Sequence, residues 1–316
     1  MNILVNDRIS QSGIKILEEA GFDVNTTKVA QEQLIHFINK NNIAILLVRS
    51  ATTVDKKVID ECPTLKIIGR AGVGMDNIEV EYAKQKGIKV INTPEASADS
   101  VAELVFAHLY GGVRFMHDSN RNMPLEGDSK FNSLKKAYSK GLELKGKTLG
   151  ILGFGKIGQA TAKIALGIGM KIQYHDHHRE ETTITVPFFD GQTISFVLKN
   201  KSMEDLLKTS DFLTMHVPAK KQYAIGKKEF DLMKDGVGIV NTARGGVIDE
   251  VALVDALENG KVLFAGLDVY ESEPNPEIRI LMHPQISLTP HIGGSTVEAQ
   301  ERIGIELAHL IVGMTK

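Results

Sequence analysis

The chain has 316 residues, with 37 basic and 39 acidic side chains and a formal net charge of −2. So even a balance removes the electrostatic case for binding nucleic acid or an anionic membrane, and the length predicts two domains. The one cysteine, Cys62, excludes an intrachain disulfide and fits a reducing compartment, so a cytoplasmic protein is expected.

Along the first hundred residues, β-branched runs alternate with amphipathic stretches. Strands are predicted at Ile3–Val5, Phe22–Val24, Ile43–Val48, Lys66–Gly69 and Ile88–Ile91. Helices are predicted at Ser10–Ala20, Gln31–Asn39, Asp55–Glu61 and Glu79–Lys86, two of them closed by Gly21 and Gly87. Ile43–Val48 is the longest aliphatic run and is far too short to cross a bilayer. Strict β-α-β alternation with short connections implies a doubly wound parallel sheet. Cys62, before Pro63 at a helix end, reads as structural.

A long helix is predicted from Ser100, with Glu103 completing a capping box, to about His117. Gly111 and Gly112 inside it call for close packing or an early end. Residues 118–141 read as a polar, irregular surface connection. A second α/β unit opens with the strand Thr148–Leu152 and a helix reaching about Gly169. It continues through strands at Lys171–His175, Phe212–His216, Gly238–Asn241, Leu263–Asp268 and Ile286–Thr289. Thr182–Pro187 and Gln192–Leu198 flank Asp190-Gly191 and predict a hairpin on the edge of that unit. A nucleotide-binding domain is expected at 99–294, inserted into a first domain of 1–98 completed by a terminal helix in 295–316.

The strongest motif is Gly153-Phe154-Gly155-Lys156-Ile157-Gly158, which follows an apolar strand and opens a helix. In that context Gly153 allows the tight turn, Gly155 the approach of a pyrophosphate and Gly158 close helix–strand packing. The helix N-terminus then offers amides and a positive dipole end to phosphates. Asp176 closes the next strand, where a carboxylate accepts hydrogen bonds from the adenosine ribose and repels a 2′-phosphate. NAD is therefore the expected cofactor, although His177, His178 and Arg179 leave tolerance of NADP open.

Three further residues follow strands of the same domain, at the edge where open α/β sheets hold ligands. Arg244 lies in Asn241-Thr-Ala-Arg-Gly-Gly, Glu273 in Asp268-Val-Tyr-Glu-Ser-Glu-Pro, and His291 between Thr289-Pro and Gly293-Gly294. An arginine, a carboxylate and a histidine suit hydride transfer to and from a carbonyl. Arg244 would clamp a substrate carboxylate, His291 would move the hydroxyl proton, and Glu273 would hold the imidazolium.

These motifs, with Arg70-Ala-Gly-Val-Gly-Met-Asp-Asn and Thr289-Pro-His-Ile-Gly-Gly-Ser-Thr, resemble the D-2-hydroxyacid dehydrogenase family over nearly the whole chain. Within it, Val48-Arg-Ser-Ala-Thr, Ser100-Val-Ala-Glu-Leu-Val and the run His291–Gly304 are most similar to members that oxidise D-3-phosphoglycerate at the entry to serine synthesis. The resemblance implies a Rossmann NAD-binding domain inserted in a flavodoxin-like substrate domain, with Arg244, Glu273 and His291 catalytic. It also implies that Lys156 and Ile157 meet the cofactor phosphates, Asp176 the ribose, and Val217, Thr242, Asp268 and Gly294 the rest of the cofactor. Gly72, Val73 and Gly74 would offer amides to the substrate carboxylate. Arg49 and Arg70 would face a substrate phosphate, with Lys135 or Lys136 reaching over from a partner subunit of a homodimer formed through the NAD-binding domain. No metal is implied. A regulatory C-terminal domain, and feedback by serine through it, are not expected. Two alternatives stay open: a glyoxylate or hydroxypyruvate reductase with the same catalytic set, and a non-catalytic NAD-sensing protein.

Overall fold

The computed structural model describes residues 1–315, which divide into two compact units, 1–100 with 294–315, and 101–293. In the first, β1 (Asn2–Val5), α1 (Gln11–Glu19), β2 (Asp23–Asn25), α2 (Leu34–Lys40) and β3 (Ile43–Val48) follow in order. α3 (Lys56–Glu61), β4 (Ile67–Arg70), α4 (Val80–Gln85) and β5 (Lys89–Asn92) complete the alternation. The five strands are parallel, in the order β2-β1-β3-β4-β5. Central β3 is buried along its whole length, as its uninterrupted Ile-Ala-Ile-Leu-Leu-Val requires of a strand covered on both faces. Ser10 and Asp55 cap α1 and α3 by accepting the amides of Gly13 and Val58.

The last helix, Val297–Thr315, returns to this unit and packs along α1. The two approach so closely that a Cβ on Gly13 would stand 2.5 Å from the Gly304 carbonyl oxygen. Ile303, Leu307 and Ile311 on the last helix join Ile3, Val5 and Leu47 in one apolar cluster.

α5 (Ala98–Val113), which lies in the second unit from Val101 onward, is followed there by α6 (Met116–Glu126) and α7 (Phe131–Ala137). Three expectations are corrected here. The helix starts before Ser100, out of a turn in which the Ala98 amide donates to the Glu95 carbonyl, so Ser100 is no N-cap. It stops at Val113 rather than His117, because Phe115 turns into the left-handed region with φ 55°. Residues 118–141 are largely helical, yet α6 and α7 bury no residue. Gly112 serves packing: a Cβ there would meet the Phe264 ring at 2.1 Å.

β6 (Thr148–Leu152), α8 (Lys156–Gly167) and β7 (Lys171–His175) then form the first β-α-β turn. The hairpin β8 (Glu181–Pro187) and β9 (Thr193–Lys199) is a separate antiparallel pair, with Gly191 at φ 85° in its turn. It buries Ile184 and Val186 in the cluster that also holds Phe154 and Tyr174. The rest is α9 (Met203–Thr209), β10 (Phe212–Met215), α10 (Lys227–Leu232), β11 (Val237–Asn241), α11 (Glu250–Glu258), β12 (Val262–Leu267), α12 (Ile278–Leu281) and β13 (Ile286–Leu288). The six-stranded sheet is parallel, in the order β13-β12-β11-β10-β6-β7. Its direction of winding reverses between β6 and β10, so their carboxyl ends open the crevice where such sheets take ligands. No described helix is long and apolar enough to cross a membrane.

Because the α1 contact leaves no room for a Cβ, Gly13→Ala should cost about 1–3 kcal/mol by overpacking. A urea unfolding curve against the parent chain measures that loss.

Candidate active site

The glycine turn of the second unit is built as its sequence implies. Gly153 has φ 89°, and a Cβ there would stand 2.6 Å from the His216 carbonyl oxygen. A Cβ on Gly158 would stand 2.4 Å from the Gly153 carbonyl oxygen, so α8 sits hard against the end of β6. A Cβ on Gly155 would meet nothing within 4 Å, leaving open space at the helix N-terminus beside Lys156 and Ile157. Beneath the turn, the Phe154 ring stacks on Tyr174 with centroids 4.0 Å apart. Asp176 accepts the Phe154 amide at 2.7 Å and the His178 amide at 2.8 Å. Burial pushes its carboxyl up, but these amides and the Arg179 and His178 charges outweigh it and hold the group below its ordinary value.

Val217, after β10, packs against the same turn. After β11, the buried Thr242 Oγ1 has no hydrogen-bond partner. An open cradle at a helix N-terminus, an ionised carboxylate at the next strand end and an unmatched hydroxyl fit a dinucleotide.

Arg244 follows in a turn held by Asn241, whose side chain donates to the Arg244 carbonyl at 2.9 Å and accepts the Ala243 amide at 3.0 Å. Gly245 brings this turn against the loop after β12, since a Cβ there would stand 1.8 Å from the Tyr270 carbonyl oxygen. That loop carries Glu273. Its Oε1 accepts the Tyr270 amide at 2.9 Å, and its Oε2 lies 2.8 Å from His291 Nδ1. The structure therefore joins Glu273 and His291, separated by 18 positions in the chain, as a hydrogen-bonded pair. The pairing leaves His291 Nε2 as the ring atom for a reacting hydroxyl.

His291 itself has φ 54°, a backbone state that costs a residue with a Cβ. Asp268, 1% exposed, surrounds that strain with hydrogen bonds: Oδ1 accepts Thr289 Oγ1 at 2.6 Å and the Ile292 amide at 2.8 Å, and Oδ2 accepts the Gly293 amide at 2.8 Å. Tyr270 adds its hydroxyl, which donates to the Thr289 carbonyl at 2.8 Å. Sequence reasoning does not single out Tyr270 or the buried His108, whose Nε2 lies 3.1 Å from Thr289 Oγ1. Nothing in the stretch Val105–Leu109 marks that histidine as hydrogen-bonded.

The first unit holds the remaining expected residues. Its sheet reverses winding between β1 and β3, and Arg49 follows β3 at that point. Asp7, after β1, accepts the Arg49 amide at 2.7 Å and the Thr52 amide at 3.1 Å, and Lys28 pairs with it. Arg49 lines a cavity of about 410 Å³ together with Ser10, Ser295, Thr296 and Gln300 at the start of the last helix. Arg70 ends β4 and lies over Gly72, where a Cβ would stand 1.8 Å from its Nη1. Gly72 donates its amide to the Arg70 carbonyl at 3.0 Å, and Val73 and Gly74 continue the loop. Gly294 also lies in this unit, and its carbonyl accepts Gln300 Nε2 at 2.7 Å. Lys135 and Lys136 stand in the last turn of α7, in the other unit. Burial pushes the Cys62 thiol up to about 11, with Glu61 adding to it, and so keeps it unreactive.

A family model for "D-isomer specific 2-hydroxyacid dehydrogenase, NAD binding domain" matches residues 106–293, more than half of the chain. The protein belongs to the D-isomer specific 2-hydroxyacid dehydrogenase family. Its second unit is therefore the NAD-binding domain of that family. A hydroxypyruvate reductase of Thermotoga maritima is 44% identical over 97% of this chain and 96% of its own. A D-3-phosphoglycerate dehydrogenase of Methanocaldococcus jannaschii is 40% identical over 98% of this chain, which spans 57% of that relative's length. Among solved structures, a glyoxylate reductase from Paecilomyes thermophila is 31% identical with a TM-score of 0.81, covering 98% of this chain and 93% of that one. The NAD+-bound 3-phosphoglycerate dehydrogenase of Entamoeba histolytica is 28% identical with a TM-score of 0.76, covering 100% and 95%.

Burial holds His108 neutral, with its pKa pushed down to about 4 by desolvation and then by His117. A histidine depressed in the folded state binds fewer protons folded than unfolded. Its contribution to stability is full above about pH 6.5 and is lost as the pH falls towards 4, by at most about 3 kcal/mol. The urea midpoint should therefore fall between pH 6.5 and 4, and fall less steeply in His108→Gln; comparison with the parent cancels the groups common to both.

Proposed function

We propose that the protein is an NAD-dependent dehydrogenase that oxidises D-3-phosphoglycerate to 3-phosphohydroxypyruvate and, in reverse, reduces that 2-oxo acid. The observation that carries the chemistry is the His291–Glu273 pair, 2.8 Å between Nδ1 and Oε2, on loops that follow β13 and β12. NAD, when bound at the glycine turn, supplies the acceptor for the hydride that leaves the substrate C2. His291 Nε2 takes the hydroxyl proton in the same direction and returns it in reverse. Glu273 holds the ring by Nδ1 and faces the imidazolium as its charge develops. Arg244 meets the substrate carboxylate with a two-pronged guanidinium. Lys156 and Ile157 meet the cofactor phosphates, Asp176 its ribose, and Thr242 offers its unmatched hydroxyl.

The phosphate is the finer part of this reading. Arg49 supports it, since it follows a strand at the reversal point of its sheet and lines a cavity beside a helix N-terminus. Arg70 and the Gly72–Gly74 loop are proposed to serve the same substrate. A second reading, reduction of unphosphorylated hydroxypyruvate or glyoxylate, draws on the 44% identity to the Thermotoga maritima hydroxypyruvate reductase.

Loss of a positioned acid–base group costs about 10²–10⁴ in rate, so His291→Ala should lower kcat by that factor while NADH still binds. An unchanged kcat in the folded variant would remove His291 from its role. Substrate class is tested by NADH oxidation at 340 nm with 3-phosphohydroxypyruvate beside hydroxypyruvate. The proposal expects a preference for the phosphorylated acid that Arg49→Ala and Arg70→Ala weaken, chiefly through KM. A preference for hydroxypyruvate, untouched by those changes, would establish the second reading.

A further inference from the structure

His108 lies on α5, outside the proposed acid–base pair, and its ring is joined to the His291 loop by a chain of hydrogen bonds. The residue is 2% exposed and both ring nitrogens are engaged, Nδ1 with Ser287 Oγ at 3.0 Å and Nε2 with Thr289 Oγ1 at 3.1 Å. Thr289 Oγ1 in turn lies 2.6 Å from Asp268 Oδ1.

Elementary hydrogen-bond chemistry permits one assignment of protons along this chain. The Thr289 hydroxyl gives its single proton to Asp268 Oδ1, which also accepts the Ile292 amide. The Thr289 oxygen then has only lone pairs to offer, and His108 Nε2 must carry a proton. A neutral ring protonated at Nε2 has a bare Nδ1, which accepts the Ser287 hydroxyl. Burial of the ring favours the neutral form that this assignment needs. The neighbouring strand is shaped to admit the imidazole: a Cβ on Gly266 of β12 would stand 2.5 Å from His108 Cβ and 2.7 Å from Cγ.

The far end of the chain is the strained loop. Asp268 spends its remaining bonds on the Ile292 and Gly293 amides, which bracket His291 at φ 54°. A left-handed backbone at a residue with a Cβ persists only where its surroundings over-determine it. We infer that His108 is a positioning residue: its Nε2–H turns the Thr289 hydroxyl onto Asp268, which thereby holds the loop that aims His291. This rests on the reading of His291 as the acid–base group.

The test compares His108→Leu, His108→Gln, Thr289→Val and His291→Ala in NADH-dependent reduction of 3-phosphohydroxypyruvate and hydroxypyruvate, with NADH binding followed separately by fluorescence. Losing a buried hydrogen bond of this kind corresponds to about tenfold in rate. His108→Leu and Thr289→Val should each lower kcat about tenfold on the preferred acid and leave NADH affinity unchanged. The double variant should be no slower than either single one, because both cut the same chain. His108→Gln places an amide N–H near the Nε2 position and should recover most of the rate. Parent-like kcat in folded His108→Leu would overturn the inference, as would a Gln variant as slow as the Leu variant. Should His108→Leu fail to fold, the near-isosteric Thr289→Val decides alone, with parent-like kcat again overturning it. His291→Ala separates the two claims. If it keeps full turnover, the acid–base reading falls and this inference with it. If it is inactive while His108→Leu and Thr289→Val are parent-like, only the positioning role falls.

Discussion

The buried carboxylate of Asp268 is the constraint on which the end of the second unit where Glu273 meets His291 depends. It stands directly after β12, and its two oxygens accept three hydrogen bonds from residues that follow β13. A carboxylate in so dry a place persists only with such company. The bonds fix the span from Thr289 to Gly293, and His291 sits inside it with a backbone it would not adopt unaided. Glu273 completes the arrangement from the other side, anchored by the Tyr270 amide before it reaches the imidazole. Two adjacent parallel strands thus bring the proposed acid–base pair together through the loops that follow them.

The same geometry explains why so much was legible in the sequence. In a parallel sheet every strand ends at one edge, so any polar residue following an apolar run is brought to a common place. Asp176, Arg244, Glu273 and His291 each obey that rule. Glycines were legible for a different reason: Gly153 needs a positive φ, and Gly158 needs to be small against the Gly153 carbonyl, so only glycine satisfies the turn. Strand limits came out within a residue or so.

What escaped the sequence escaped for physical reasons. α6 and α7 bury nothing, so neither carries the apolar stripe from which a helix is recognised. Their helicity rests on local propensity, and α6 carries Pro124 in its interior. The start of α5 was misplaced because Ser100 and Glu103 imitate a capping box while a turn from Glu95 had already begun the helix. His108 was hidden by its neighbours. Its partners, Ser287 and Thr289, lie some 180 positions away, and nothing local in Val-Phe-Ala-His-Leu announces a hydrogen-bonded ring.

The division of the chain also divides the chemical problem. The proposed acid–base pair and the glycine turn are held within Val101–Gly293, while Gly294, expected to meet the cofactor, lies in the first unit. A hydroxypyruvate reductase and a D-3-phosphoglycerate dehydrogenase are both close relatives, and both reactions need the same proton and hydride transfers. Discrimination between a phosphorylated and a plain acid therefore has to come from groups that the transfers do not use. In the first unit, the sheet reversal places Arg49 where a ligand is met, and Asp7 pins its backbone while the side chain faces the cavity. Burial pushes Asp7 up, but Lys28 and the Arg49 and Thr52 bonds prevail and keep it ionised. Arg49, with its backbone fixed and its side chain lining the cavity, lies outside the unit that holds the proposed acid–base pair, so on the proposed reading its exchange would leave that pair intact.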